Sequence, residues 1–157
     1  MIVNEYEYQR HLPHFQNSDK VYLVTFVTQR RWILPPAARD IVLDLIRKLH
    51  RNEAFVHTGV VMPDHVHLII QPLWDDRGIA YPLSVLIGQL KGRSSRQINL
   101  LLERQGRVWQ EEFHDHQIRS DESIIEKMDY VVKNPVRAGL GENYPWIFTW
   151  WSEETTG

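Results

Sequence analysis

Two apolar, β-branched runs, residues 55–62 and 65–71, are separated only by Pro63-Asp64, and this pairing constrains the fold more than any other feature of the chain. A proline fixes φ and an aspartate supports turn geometry, so the two runs are expected to reverse tightly and pair as an antiparallel hairpin. Successive strand side chains point to opposite faces, which puts His65 and His67 on one face and Val66 on the other. Two imidazoles on one face form a two-ligand platform for a metal ion. Taken alone, a His-x-His spacing is more often a pair of partly exposed strand histidines.

The rest of the chain supplies partners for that hairpin. Residues 21–28 (VYLVTFVT) read as a buried strand, and residues 39–50 space Ile41, Leu45 and Leu49 as one face of a helix. Residues 83–102 return to helical spacing, with Gly88 and Gly92 weakening the middle, and a short strand is expected around residues 112–118. Residues 121–133 predict a last helix, with Ser120 as N-cap and Glu122 in its first turn, stopping near Asn134-Pro135 because the residue before a proline leaves the helical region. The order is that of an α+β, ferredoxin-like βαββαβ antiparallel sheet with an added C-terminal helix, in a single domain over residues 1–157.

The chain has no cysteine, which removes disulfides, thiolate zinc sites and cysteine nucleophiles and fits a reducing, cytoplasmic setting. Any metal falls to His, carboxylate, amide or water, ligand types compatible with magnesium and manganese. No membrane span or signal peptide is expected. A net charge of −2 argues against a general electrostatic DNA coat, yet residues 91–107 carry five basic residues and one acid, 5 − 1 = +4. That stretch suits a nucleic-acid partner or an ordinary solvated helix face equally.

Three further features bear on chemistry. His114-Asp115-His116 repeats the His-x-His spacing among acids and reads as an edge strand or loop, a second-ranked site. Tyr130 and Asn134 lie four residues apart, which on one helix face separates their Cβ atoms by about 5–6 Å. Each has an ordinary reading as well, Tyr130 as an amphipathic core tyrosine and Asn134 as a helix C-terminal residue.

Taken together, residues 60–71 (VVMPDHVHLIIQ), 108–120 (VWQEEFHDHQIRS) and 130–140 (YVVKNPVRAGL) resemble the REP-associated tyrosine transposases of the single-tyrosine HUH superfamily, named for a His-hydrophobic-His motif. The resemblance runs from Arg10-His11-Leu12-Pro13 to Tyr144-Pro145-Trp146. It implies that His65 and His67 bind a divalent metal, Mg2+ or Mn2+, that Asn134 is the third ligand and that Tyr130 is the nucleophile. Some relatives use glutamine at the Asn134 position, and the Asp64 position is often asparagine. The implied activity is cleavage and rejoining of single-stranded DNA beside hairpins of repetitive extragenic palindromes, by a monomer or a homodimer at the nucleoid. A non-catalytic DNA-binding regulator descended from such an enzyme is the alternative, and a small-phosphoester hydrolase would need neither the tyrosine nor the basic face.

These residue types suit that reaction. A bound cation withdraws charge from a phosphodiester in the transition state, and a phenol, with a reference pKa of about 10, must lose its proton on attack. Arg10 and His11 are expected at unpaired bases, and Lys91, Arg93, Arg96, Arg104 and Arg107 at phosphates. Lys133 and Arg137 flank the tyrosine, placed to hold the scissile strand. Trp109 and Trp146 are expected mainly to pack.

Overall fold

The computed structural model describes residues 20–119 and 122–154. Its elements run β1 (Val21–Val27), a 3-10 turn (Gln29–Arg31), α1 (Pro36–Leu49), β2 (Ala54–Val61), β3 (His65–Pro72), α2 (Leu83–Leu102), β4 (His114–Ile118), α3 (Ile124–Val132), α4 (Asn134–Arg137), β5 (Ile147–Thr149) and α5 (Trp150–Glu154). The strands form one sheet in the order β4-β1-β3-β2-β5, every neighbouring pair antiparallel. The first four follow the expected ferredoxin-like arrangement, and β5 is an addition.

The expected hairpin is β2–β3, and its register fixes which residues share a face. Gly59 lies opposite Leu68 and faces α1, where a Cβ would stand 2.7 Å from Leu68 Cδ2 and 3.8 Å from Ile46 Cγ2. Only glycine lets the helix and the neighbouring strand approach so closely. Val66, Leu68 and Ile70 therefore point into the layer under α1 and α2, while His65, His67 and Ile69 point the other way. α1 begins with Pro36, whose missing N–H costs nothing at that position, and buries Ala38, Val42, Leu45 and Ile46. α2 stays helical through Gly88 and Gly92 because Leu86, Ile87, Leu90 and Ile98 are buried along one stripe.

The opposite face carries α3, packed on β2 and β3. Its N-cap is Ser123, whose hydroxyl accepts from Glu126 N at 3.1 Å. The expected cap, Ser120, lies outside the described residues, and the helix starts at Ile124 because Ser123 supplies the acceptor there. α3 ends at Val132, but the chain does not leave helical geometry: Lys133 stays in the right-handed region and Pro135 opens α4.

Candidate active site

β3 presents the two histidines beside each other, ring centroids 4.8 Å apart and nearly perpendicular. Both are only partly exposed, and each ring is anchored through Nδ1. His65 Nδ1 donates to Asp64 Oδ1 at 2.7 Å, and a carboxylate can only accept, so in the neutral form of the ring the lone pair lies on Nε2. His67 Nδ1 lies 2.7 Å from Thr25 Oγ1, directly across the β1–β3 ladder. In the tautomer whose Nδ1–H donates to the threonine, His67 Nε2 is likewise open to a ligand. Burial, reinforced by the charges of His65 and Arg137, holds His67 down to about 4, so its ring is neutral near pH 7.

Asp64 is itself held from behind. Arg31 Nη1 lies 3.4 Å from Asp64 Oδ2. Partial burial pushes this carboxyl up, but the His65 hydrogen bond and the charges of His65 and Arg31 outweigh it and keep Asp64 below the usual carboxylate range. Such partners fix the tautomer and direction of metal-binding imidazoles. Asp64 and Thr25 were not legible as ring anchors in the sequence. The one available signal was Thr25, the single aliphatic hydroxyl in a strand otherwise built of aliphatic and aromatic residues.

Asn134 completes the group. Its Nδ2 approaches His65 Nε2 at 3.5 Å, and a half-turn of the amide, whose N and O differ only by hydrogen-bond logic, presents the oxygen instead. Among the described residues no three His, Cys, Asp or Glu side chains cluster in a metal-holding arrangement, and the Asn134 amide is the further polar donor beside His65 Nε2. The donor set of two imidazoles and one amide fits a divalent cation.

Tyr130, on α3, is 54% exposed. Arg137 sits on it: its guanidinium carbon stands 3.9 Å from the Tyr130 ring centroid and its Nη2 donates to Tyr130 O, while its positive charge helps hold the His67 pKa down. Lys133 is paired with Asp129 at 2.9 Å on the same surface. Tyr144 is a different kind of tyrosine. Its hydroxyl donates to Val61 O inside the fold, and burial raises its pKa.

The remaining sequence candidates scatter. His114 and His116 lie on edge strand β4, opposite Thr25 and Leu23, on the same sheet face as the first pair. His116 is engaged by both carboxylate oxygens of Glu122 at 3.1 Å. Lys91 donates to the carbonyls of Gln110 and Glu111 at 2.7 and 2.8 Å, tying the segment before β4 to α2. Arg93 lines a groove between α1 and α2, on the far side of the sheet, and Arg96 is exposed on α2. Arg104 and Arg107 stand near the 3-10 turn. Trp109 is buried against Phe26 and donates to Ser94, and Trp146 donates to Asp40, so both pack as expected. Arg10 and His11 lie outside the described residues.

A sequence profile of IS200-like transposases matches residues 16–134. The chain belongs to the IS200-like transposase family. A Haemophilus influenzae protein named as a REP-associated tyrosine transposase is 36% identical to it over 52% of this chain and 49% of that protein, so the match spans about half of each. A REP-associated tyrosine transposase solved bound to a REP hairpin shares the transposase fold, with TM-score 0.62 and 22% identity over 87% of this chain and 80% of that one. A Deinococcus radiodurans protein assigned as a transposase aligns with TM-score 0.48 and 20% identity, over 73% of this chain and 90% of its own. Among the described residues no helix is long and apolar enough to cross a membrane.

Proposed function

We propose that this IS200-like transposase cleaves and rejoins single-stranded DNA beside hairpins of the REP type, through a covalent bond between Tyr130 and a 5′ phosphate. The reading rests most heavily on one observation: both histidines are anchored through Nδ1, to Asp64 and Thr25, with Asn134 on His65 and Arg137 stacked on the Tyr130 ring. A purely structural histidine pair has no need of that convergence. His65, His67 and Asn134 would hold Mg2+ or Mn2+, and such an ion, when bound, offsets negative charge on the phosphodiester. Tyr130 attacks phosphorus as the P–O3′ bond breaks. Its proton leaves the phenol, and one proton is taken up by the departing 3′ oxygen, so atoms and charge balance. Attack by a different 3′ hydroxyl reverses the step and joins new strands without an external energy source.

Arg137 holds the phenol ring by a cation–π contact, and its charge also favours an approaching phosphate. Lys133, Arg104 and Arg107, with Arg10 and His11, extend the DNA contact, and Arg93 and Arg96 would serve only strands reaching α2. Lys91 is already committed to backbone carbonyls. The protein would act on nucleoid DNA in the cytoplasm, as a monomer or a homodimer.

The test is incubation with labelled hairpin-bearing single-stranded DNA and Mn2+, read as a protein-linked strand on a denaturing gel. Tyr130→Phe is expected to abolish adduct and nick while leaving DNA binding, since only one exposed oxygen is removed. Adduct formation by that variant would refute Tyr130 as nucleophile, and no adduct from the unaltered protein would leave a DNA-binding regulator as the reading.

A further inference from the structure

The 3-10 turn after β1 carries two consecutive non-glycine residues in the left-handed region, Arg30 at φ 54° and Arg31 at φ 55°. Side chains rarely adopt that backbone, and it persists where surrounding contacts enforce it. Here the turn is pinned at both ends: Thr28 N donates to Asp64 O, Gln29 N to Val108 O and Trp32 N to Gln29 O. Arg31 points to Asp64 and the histidines. Arg30 points instead into a cleft of about 510 Å³ lined by Gln29, Arg30, Trp32, Arg104 and Arg107.

The lining is selective in its chemistry. Arg104 stands over the Trp32 ring, its guanidinium carbon 4.1 Å from the centroid, and is held there by a 2.7 Å bond to Asn99 Oδ1, a neutral partner. Arg30 has no acidic partner among the described residues. Arg107 has a loose one, Glu111 at 3.7 Å, with both side chains well exposed. The cleft thus joins an aromatic–guanidinium pair, held by Asn99, to positive charge that no buried acid neutralises. Flat platforms take bases by stacking without regard to sequence, and flanking arginines take phosphates.

We infer that this cleft binds one unpaired nucleotide of the DNA strand, its base stacked at Trp32 and Arg104 and its phosphate at Arg30 and Arg107. Since the same turn sends Arg31 to the Asp64–His65 pair, a nucleotide seated here sets the distance along the strand at which the phosphodiester meets the histidines. The inference rests on the single-strand reading above and adds a place where the strand is gripped.

The experiment measures affinity by fluorescence anisotropy for a labelled hairpin with a short single-stranded tail, and for the same hairpin with the tail made of abasic units. The unaltered protein is expected to prefer the tail with bases by about tenfold, from one stacked base. Trp32→Leu should erase that preference and leave affinity for the abasic tail. Because Trp32 is half-buried, its variant is checked by thermal unfolding, and Arg30→Asn with Arg107→Gln provides a surface alternative. That pair should weaken binding to both tails and reduce the salt slope by about 0.7, the value for one phosphate on a single strand. Equal affinity of the unaltered protein for both tails overturns the stacked base, and an unchanged salt slope overturns the arginine contacts. If the unaltered protein binds no tailed hairpin at all, the single-strand reading falls with the cleft.

Discussion

Replacing Thr25 with valine keeps the shape of the side chain and removes the oxygen 2.7 Å from His67 Nδ1. The His67 ring is neutral near pH 7 and carries one N–H, and the threonine oxygen supplies the acceptor that the Nδ1–H tautomer, the one able to ligate through Nε2, requires. Without that partner the proton is free to sit on Nε2, where it blocks the lone pair that would ligate the ion, and the ring is free to swing. Removing such an orienting partner typically costs about 10–100-fold in metal affinity, or roughly 1.4–2.7 kcal/mol. Thr25→Ser, which restores the oxygen, should recover most of the loss. Titration of the apo protein with Mn2+, followed by calorimetry or by the spin-resonance signal of free Mn2+, measures the difference directly. Thermal unfolding serves as control, because Thr25 is only partly buried and its loss should leave the core intact. A valine variant that binds Mn2+ as tightly as the unaltered protein would refute the orienting role, and no Mn2+ binding by either would refute the metal site itself.

Two further outcomes concern the scaffold. His57 is fully buried at the bulge in β2, and burial, with the charge of His50, outweighs its Gln71 hydrogen bond to hold it down to about 4. Its folded pKa is lower than its unfolded value, so the unfolded chain binds the extra proton and stability is fully present above about pH 6.5 and lost as pH falls towards 4. The gap corresponds to about 3 kcal/mol, visible as a lower urea midpoint at pH 4.5 than at pH 7, and the drop should be smaller in His57→Gln, where His67 and His50, both also held to about 4, still contribute. Gly59→Ala should destabilise by about 1–3 kcal/mol in the same assay, because its Cβ would meet Leu68 at 2.7 Å; a neutral effect would mean the strand and helix can part without cost.

The hairpin and the histidine pair were legible because both depend on spacing within a few residues: a two-residue turn and a period of two. Helix α3 was legible in place but not in its ends, since the choice between Ser120 and Ser123 as cap turns on which hydroxyl reaches a free N–H. Strand β5 was not legible at all. Three residues between tryptophans carry no strand pattern, and Ile147–Thr149 is extended because the edge of β2 pairs with it, with Thr58 Oγ1 donating to Phe148 O. Charge misled in a similar way. Lys91 looks like its basic neighbours in sequence, but only the fold brings three successive backbone carbonyls to its ammonium group.

The anchors of the two imidazoles come from places very different in sequence. Asp64 is adjacent to His65, whereas Thr25 is 42 residues from His67 and arrives only when β1 inserts between β3 and β4. A folding intermediate in which only the hairpin has formed would already possess both rings, one oriented and one loose. Full ligating competence is then acquired late, after the non-local strand pairing that limits the folding rate of sheets of this kind. Cation affinity would therefore report completion of the whole sheet rather than of the hairpin, and an ion that binds only that completed state would act as a latch on it, adding stability in proportion to the logarithm of its concentration over the dissociation constant.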